Sequence, residues 1–360
     1  STWTNASWLN VGFTGSGTLD ITDGGAVSNT TGVIAGQFHG TGEVTVTGPG
    51  SVWTNSAELL IADCVNQGGP GCSGTLNVTN GGSVSSAGGF IGPTKGAMGT
   101  VTISGSESKW INMADLQIAG YASQPNETWL GGSGTITVAD GGLVSSVNGS
   151  IGDATGSVGQ VTVTGASSQW TNAGDLVVGG SSVAAGGSGT LTITGSGQVR
   201  VGNALKIWDT VNLDNGMLIT GSLNYTGGGT FNWVNGTLQL TGPSGLTVGP
   251  GGTFGELLTL NADQTLKVDH TTTVQSAAAM PTTGEFSSGQ LTIESGAVLN
   301  ATGQVTAKVG GLMTSNIVAT GPLSIGDATG YGSFDHQGVL SVGIYDVTLN
   351  TKGFANLGSV

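Results

Sequence analysis

The feature that most constrains this chain is an internal repeat whose glycines stay in register. STWTN opens the sequence, SVWTN recurs at Ser51, SKWIN at Ser108 and SQWTN at Ser168, so Trp3, Trp53, Trp110 and Trp170 return at intervals of 50 to 60 residues. Three further motifs follow each other in the same order: GTLDIT from Gly17, GTLNVT from Gly74, GTITVA from Gly134 and GTLTIT from Gly189; DGGAVS from Asp23, NGGSVS from Asn80 and DGGLVS from Asp140; and GEVTVTG from Gly42, GTVTISG from Gly99 and GQVTVTG from Gly159. Self-similarity at such a period marks stacked supersecondary units. It also decides how the 69 glycines in 360 residues are read. Glycine at that level often accompanies disorder, but glycines locked to Trp, GTL and GG positions are corners.

Each long unit divides into six short strands. In the first they are expected at residues 1–5, 9–12, 17–22, 26–28, 33–36 and 43–47, each alternating Val, Leu or Ile with Thr or Ser. Gly, Asn and Asp fill the gaps, where a turn needs positive φ. Strands this short suit a chain wound into coils, three strands to the coil and two coils to the repeat. The fold class expected is therefore all-β, a single parallel, right-handed β-helix with about three short strands per coil. Residues 1–200 form the long-repeat part, with four units of 50–60 residues, and residues 201–360 continue the β-helix in shorter, irregular coils. Strands in the second part are expected at 229–234, 237–241, 245–248, 257–261, 264–268, 290–294, 298–300, 323–326, 339–343 and 347–350. The string IGDATG occurs at Ile151 and again at Ile325. Segment lengths vary at one point, between the Leu-rich strand and the GTL strand, which places insertions along one edge of the solenoid.

The GTLxIT, GGxVS and SxWTN alternation resembles the exported β-helix repeats of bacterial surface proteins, among them autotransporter-type passengers and large Gly/Thr-rich exported proteins. GGTFNWVNGTLQLTG from Gly228 and LNTKGFANLGS from Leu349 are similar to segments of the latter. The resemblance implies an extracellular or cell-surface, structural or adhesive protein. No outer-membrane barrel is read in the sequence, so the autotransporter secretion route is not carried over.

Charge narrows the partners. Lys and Arg number 7 against 21 Asp and Glu, a net charge of −14. Such a chain offers no basic face for nucleic acid, and no apolar run is long enough to insert into a membrane. Cys64 and Cys72 bracket a Gly- and Pro-rich loop and are expected to form a disulfide in an oxidising compartment. No signal peptide is visible, and the opening at Ser1 reads as a mature or trimmed form.

Candidate chemistry is sparse. Five residues after each repeat Trp stand Trp8, Glu58, Asp115 and Asp175. This acidic column could serve a polysaccharide-degrading enzyme, whose inverting members hold two carboxyls about 6.5–9.5 Å apart; the plain reading is a polar position on an exposed strand. His39, His270 and His336 stand apart, so no metal site and no cofactor are expected. Asp153 and Asp327 in the IGDATG turns offer a weak cation site. The column Asn5, Asn55, Asn112 and Asn172 reads as a hydrogen-bonded ladder along the stack, and the Trp column as core or corner packing, with sugar stacking as the alternative. If Val44 and Val46 point inward, Thr45 and Thr47 point out, and with Thr162, Thr164, Thr192 and Thr194 they form an exposed Thr face able to meet ice or glycans. Eight Asn-x-Ser/Thr sites are candidates for glycosylation: Asn5, Asn29, Asn77, Asn126, Asn148, Asn224, Asn235 and Asn300. The chain shows no polar cap, which reads either as a fragment of a longer rod or, in preference, as head-to-tail self-association into a filament. The function expected is a structural extracellular protein without catalysis, its partners other copies of itself and cell-surface or environmental glycans. The alternatives are a β-helix enzyme and an ice- or glycan-binding module.

Overall fold

The computed structural model describes residues 1–37, 39–64, 71–120, 131–225, 228–294 and 297–313, followed by the strands Asn316–Ala319, Leu323–Ile325, Ser333–His336, Leu340–Val342, Val347–Leu349 and Gly353–Asn356; side chains are described as far as Ala307. Asn126, Asp327 and the 326–330 part of the second IGDATG lie outside the described residues, and nothing is said of the His336 side chain. Two compact units emerge: Ser1–Met217 with Asn224–Asn232, and Leu218–Leu223 with Trp233–Val360.

The first unit is a stack of parallel coils with three strand faces. The first face runs Thr2–Thr4, Ala26–Asn29, Val52–Asn55, Ser83–Ser86, Lys109–Asn112, Leu143–Ser146 and Gln169–Asn172. The second runs Leu9–Val11, Gly32–Ile34, Leu59–Ile61, Gly89–Ile91, Leu116–Ile118, Gly149–Ile151 and Leu176–Val178, and the third Ser16–Ile21, Thr41–Thr47, Ser73–Thr79, Met98–Ser104, Ser133–Ala139, Val158–Thr164 and Ser188–Thr194. Each strand pairs in parallel with its counterparts one coil before and after, in unbroken register: Leu19↔Val44, Val44↔Leu76, Val101↔Leu76 and Val101↔Ile136. Period-two alternation turns these residues inward, and Val44, Leu76, Val101 and Val161 are buried. Each such side chain removed from water contributes about 1.5–3 kcal/mol.

Corners follow from local chemistry. Between third and first faces, Asp23–Gly24, Asn80–Gly81 and Asp140–Gly141 each place two successive residues at positive φ. Asn, Asp and Gly tolerate that conformation best, which is why the DGG and NGG motifs recur. The corner between second and third faces carries the length variation, including the segment bracketed by the Cys64–Cys72 disulfide, whose Cα atoms lie 5.8 Å apart.

The period of two coils comes from packing on the first two faces. Register places Trp53 between Val27 and Val84, and Trp110 between Val84 and Val144. The Trp coils carry Leu59, Leu116 and Leu176 on the second face, whereas the coils between carry Gly32, Gly89 and Gly149 at the same register. A Cβ on Gly89 would fall 2.7 Å from the Trp110 ring and 2.8 Å from the Leu116 methyl, and one on Gly149 would meet Trp170 and Leu176 at 3.0 and 2.8 Å. An indole therefore fits only where the neighbouring coil presents no side chain, so large and small coils alternate.

The coil after Thr194 departs from this plan. First and second faces fuse into one strand, Gln198–Ile207, which pairs with both Gln169–Asn172 and Leu176–Val178. Fused strands also characterise the second unit: Gln264–Val274 pairs with both Gly236–Leu240 and Leu246–Val248, then with Glu285–Ile293, which pairs with Val305–Met313. The register shifts at Val268/Thr271, where a corner stands in the first unit, and again at Leu291/Ile293 beyond that point. The strand expected at 257–261 is only partly formed. Leu257 and Leu260 bridge in parallel to Ala279 and Thr282, and the Leu258 and Leu260 N–H groups donate to the Ala279 and Pro281 carbonyls at 3.1 and 3.0 Å, without a regular strand, after a segment with positive φ at Gly249, Gly251 and Gly255.

Candidate functional site

Most polar side chains inside the first unit are satisfied internally. The Trp53 indole N–H donates to Asn29 Oδ1 at 2.7 Å, Asn29 donates to Asn55 Oδ1 at 2.7 Å, and Asn55 donates to the Ser85 carbonyl at 3.3 Å. One repeat later Trp110 donates to Ser86 Oγ at 3.1 Å and Ser86 to Asn112 Oδ1 at 2.8 Å. Asn55, Asn112 and Asn172 thus form a buried ladder in which Asn29, Ser86 or Ser146 of the intervening coil supplies the alternate rung, whereas Asn5 is half-exposed and bonds within its own coil, donating to the Trp8 carbonyl at 2.8 Å. The ladder ends at Asn172: Ser146 donates to its Oδ1 at 2.6 Å, but Trp170 Nε1 and Asn172 Nδ2 have no partner among the described residues, and the next coil presents Val199 and Val201. The rings of Trp53, Trp110 and Trp170 are buried and closed to a sugar, whereas Trp3 is 49% and Trp8 58% exposed.

The glycosylation candidates differ in burial. Asn29 is buried and both ends of its amide are hydrogen-bonded within the ladder. The Asn148 amide donates to Asp115 and accepts from the Asp175 N–H. Asn235 holds a buried Oδ1. Asn224 and Asn300 are exposed, and Asn5 and Asn77 half-exposed.

Two outward features remain. On the third face Thr45, Thr47, Thr162, Thr164, Thr192 and Thr194 are half-exposed. Register forms an unbroken Thr column, Thr102, Thr137, Thr162 and Thr192, bounded by Asn77 and Asn212. Threonines along another column bond to each other, as Thr79 Oγ does to Thr47 Oγ at 2.9 Å.

The second is a groove of 340 Å³ along the second face, lined by Asp115, Asn148, Ser150, Asp153, Asp175 and Ser181 above Leu116 and Val177. One rim is a hydrogen-bonded chain: Asn148 Nδ2 donates to Asp115 Oδ1 at 2.9 Å, the Asp175 N–H donates to Asn148 Oδ1 at 3.0 Å, and Lys206 Nζ lies 3.3 Å from Asp175 Oδ2. The other rim is the short turn at Ser181, closed by the Ser181 N–H to the Ala184 carbonyl at 2.8 Å and held by Trp208 Nε1 donating to the Ser181 carbonyl at 2.9 Å. Between them sits Asp153, only 6% exposed, whose pKa burial raises from 3.8 to about 6. Among the described residues its carboxylate has no hydrogen-bond donor, and the buried Ser150 hydroxyl has no partner. Asp63 stands at the equivalent corner three coils earlier, its pKa also raised to about 6, first by burial and then by the Glu58 charge.

Sequence reasoning picked out Asp115 and Asp175 as a column and Asp153 as a turn acid, but did not bring them together. It read Asn148 only as a glycosylation site and missed Ser150 and Ser181. The available signal was Asn148 itself, which replaces the Gly88 of the corresponding coil. Asp115 and Asp175 are joined through Asn148 rather than set across an open gap from each other. Among the described residues no three His, Cys, Asp or Glu side chains are grouped to hold a metal, and no helix is long and apolar enough to cross a membrane.

No family model matches the chain. Over 95% of its length it is 26% identical to the adhesin BmaC autotransporter of Brucella suis biovar 1 (strain 1330), and it spans about 10% of that much longer protein. It also aligns along its full length with the crystal structure of a hyper-glycosylated TibA fragment, at 17% identity and a TM-score of 0.39. The likeness to autotransporter-type passengers read from the repeat motifs thus has a counterpart in an autotransporter adhesin, and the protein is surface-exposed or secreted.

Proposed function

We propose that this chain is a non-catalytic, adhesive structural segment of a longer surface protein, a β-helix that holds side chains and corner insertions away from the cell. The observation that supports this most is the in-register parallel stack: its buried polar groups are largely spent on the internal ladder, and variation is confined to one corner. The adhesin relative points the same way. A polysaccharide-degrading role has less support, because the acidic column is tied up by Asn148 and Lys206. Display of the chain on a non-adherent bacterium is the test. Retention of those cells on animal-cell or glycan-coated surfaces above an empty-display control is expected, and retention equal to the control overturns the reading.

Two finer proposals are separate. Glycans on exposed Asn224 or Asn300, or on the threonine face, would add solubility to a chain with 8% charged residues; an intact mass equal to the sequence mass refutes it. End-to-end self-association predicts a concentration-dependent sedimentation coefficient, and a constant monomer value refutes it. The Thr102–Thr137–Thr162–Thr192 column favours one second reading, contact with ice. Suppression of ice recrystallisation that Thr162→Tyr abolishes is the corresponding measurement.

A further inference from the structure

The groove at the second-to-third-face corner has the chemistry of a ligand site. Its volume of 340 Å³ falls at the lower end of the range for small-molecule pockets, about 300 to 1,000 Å³. Its charged groups are all acceptors, the carboxylates of Asp115, Asp153 and Asp175, while Gln117 and the Ser150, Ser181 and Ser182 hydroxyls can donate or accept. Three carboxylates against the single Lys206 repel an anion. No grouping of three acidic side chains is close enough to hold a cation among the described residues. With Asp175 paired to Lys206 and Asp115 to the Asn148 amide, little unpaired charge is left for an organic cation, and a neutral molecule rich in O–H donors fits the acceptors better.

Asp153 is the specific demand. The Asp153 carboxylate, in a residue 6% exposed, takes no protein donor among the described residues and can accept from a ligand, while the Ser150 hydroxyl is buried and orphaned, a cost that a ligand hydrogen bond would recover. Vicinal hydroxyls of a pyranose present two adjacent O–H groups to one carboxylate, while the C–H face of the ring would lie on Val177, which shares the outward column with Gln117 and Ser150. The rims are preorganised: Asn148 pins Asp115, Lys206 pins Asp175, and Trp208 holds the Ser181 turn. A site already ordered loses less on binding.

We propose that the groove between Asp115, Asp153, Asp175 and Ser181 binds one neutral pyranose unit of a glycan, with Asp153 and Ser150 at its base. The inference deepens the adhesive reading and rests on it for its biological role. The test is calorimetric titration of the chain with the methyl glycosides of glucose, galactose, mannose and N-acetylglucosamine, and separately with calcium chloride. At least one glycoside is expected to bind. Its Kd should rise about tenfold or more in Asp153→Ala, since hydrogen bonds to a charged group are lost, and stay unchanged in Thr192→Ala on the threonine face. Asp115→Ala on the exposed rim, expected to weaken binding less, serves if Asp153→Ala does not fold by circular dichroism. Binding of none of the four, or equal binding in the Asp153 and Asp115 variants and the parent, overturns the proposal. Calcium binding without glycoside binding overturns it in favour of a cation site. Cells displaying Asp153→Ala separate the two readings. Retention without glycoside binding leaves the adhesive role standing and the groove disproved; glycoside binding without retention does the reverse.

Discussion

The coils as far as Thr194 and the coil at Gln198–Asp214 occupy the same stack but solve the core differently. In the former, every second coil inserts an indole and an Asn, and the coil between must supply Gly and a polar rung. In the latter, Val199, Val201 and Leu205 take the corresponding inward positions, the corner between first and second faces disappears, and the strand runs unbroken to Ile207. The second unit follows this apolar plan, with Leu266, Phe286 and Leu291 inside fused strands. A parallel β-helix therefore does not need the indole–Asn ladder. What the ladder adds is specification. A Trp coil stacks well only on a Gly coil, and a one-coil slip would set indole against indole and leave buried amides unpaired.

The strongest break of this contrast is Trp110→Ala, which leaves a large void and strips a donor from Ser86. A loss of about 4 kcal/mol is expected in urea unfolding, against about 2 kcal/mol for Val199→Ala in the apolar coil. Equal losses would remove the distinction between the two packings. Next is Gly89→Ala, whose added methyl collides with Trp110, Asn112 and Leu116. It should cost about 2–3 kcal/mol, and Trp110→Leu in the same chain should recover part of that because the two sites share one space. Additive losses would mean that the indole does not set the glycine.

A finer probe compares two tryptophans. Trp110→Phe removes a hydrogen bond to Ser86 and should cost about 1–2 kcal/mol beyond the change in volume; Trp170→Phe removes an N–H without a partner and should cost less. The reverse order in melting temperature would refute the described end of the ladder. The smallest effect concerns the corner that carries Asp153. Its folded pKa is raised to about 6, so the folded state holds its proton more tightly than the unfolded chain. The burial penalty is absent below about pH 4, appears as pH rises to about 6, and is constant above. Asp153→Asn should flatten that fall, on the order of 1 kcal/mol, in pH-dependent thermal melts, leaving the Asp63 contribution in place.

Much of the coil architecture is legible in the sequence because period two and corner chemistry are local. Val44-Thr45-Val46 shows its inward and outward sides without a partner, and Asp23-Gly24 declares its turn. The strand expected at 257–261 is only partly formed, because an apolar run signals burial without specifying how regular the pairing is. Leu258 and Leu260 are buried and their N–H groups pair with the Ala279 and Pro281 carbonyls, but two bridges do not extend into a regular strand. The groove was illegible for the opposite reason. Its Asp115–Asn148 and Asn148–Asp175 hydrogen bonds span 33 and 27 residues, and a one-residue difference in a corner would part them.

By itself the sequence determined that this chain winds into parallel coils, which residues face inward, and where insertions leave the stack, since strand alternation and left-handed corners are set by a few neighbouring residues. Only the tertiary structure decided that Trp110 sits over Gly89, that Asn29 is buried with its amide spent on the ladder, and that Asp153 lies between two rims without a protein donor among the described residues. Those outcomes depend on which side chains meet across adjacent coils, and that is fixed by stacking distance and corner length, quantities belonging to the assembled stack.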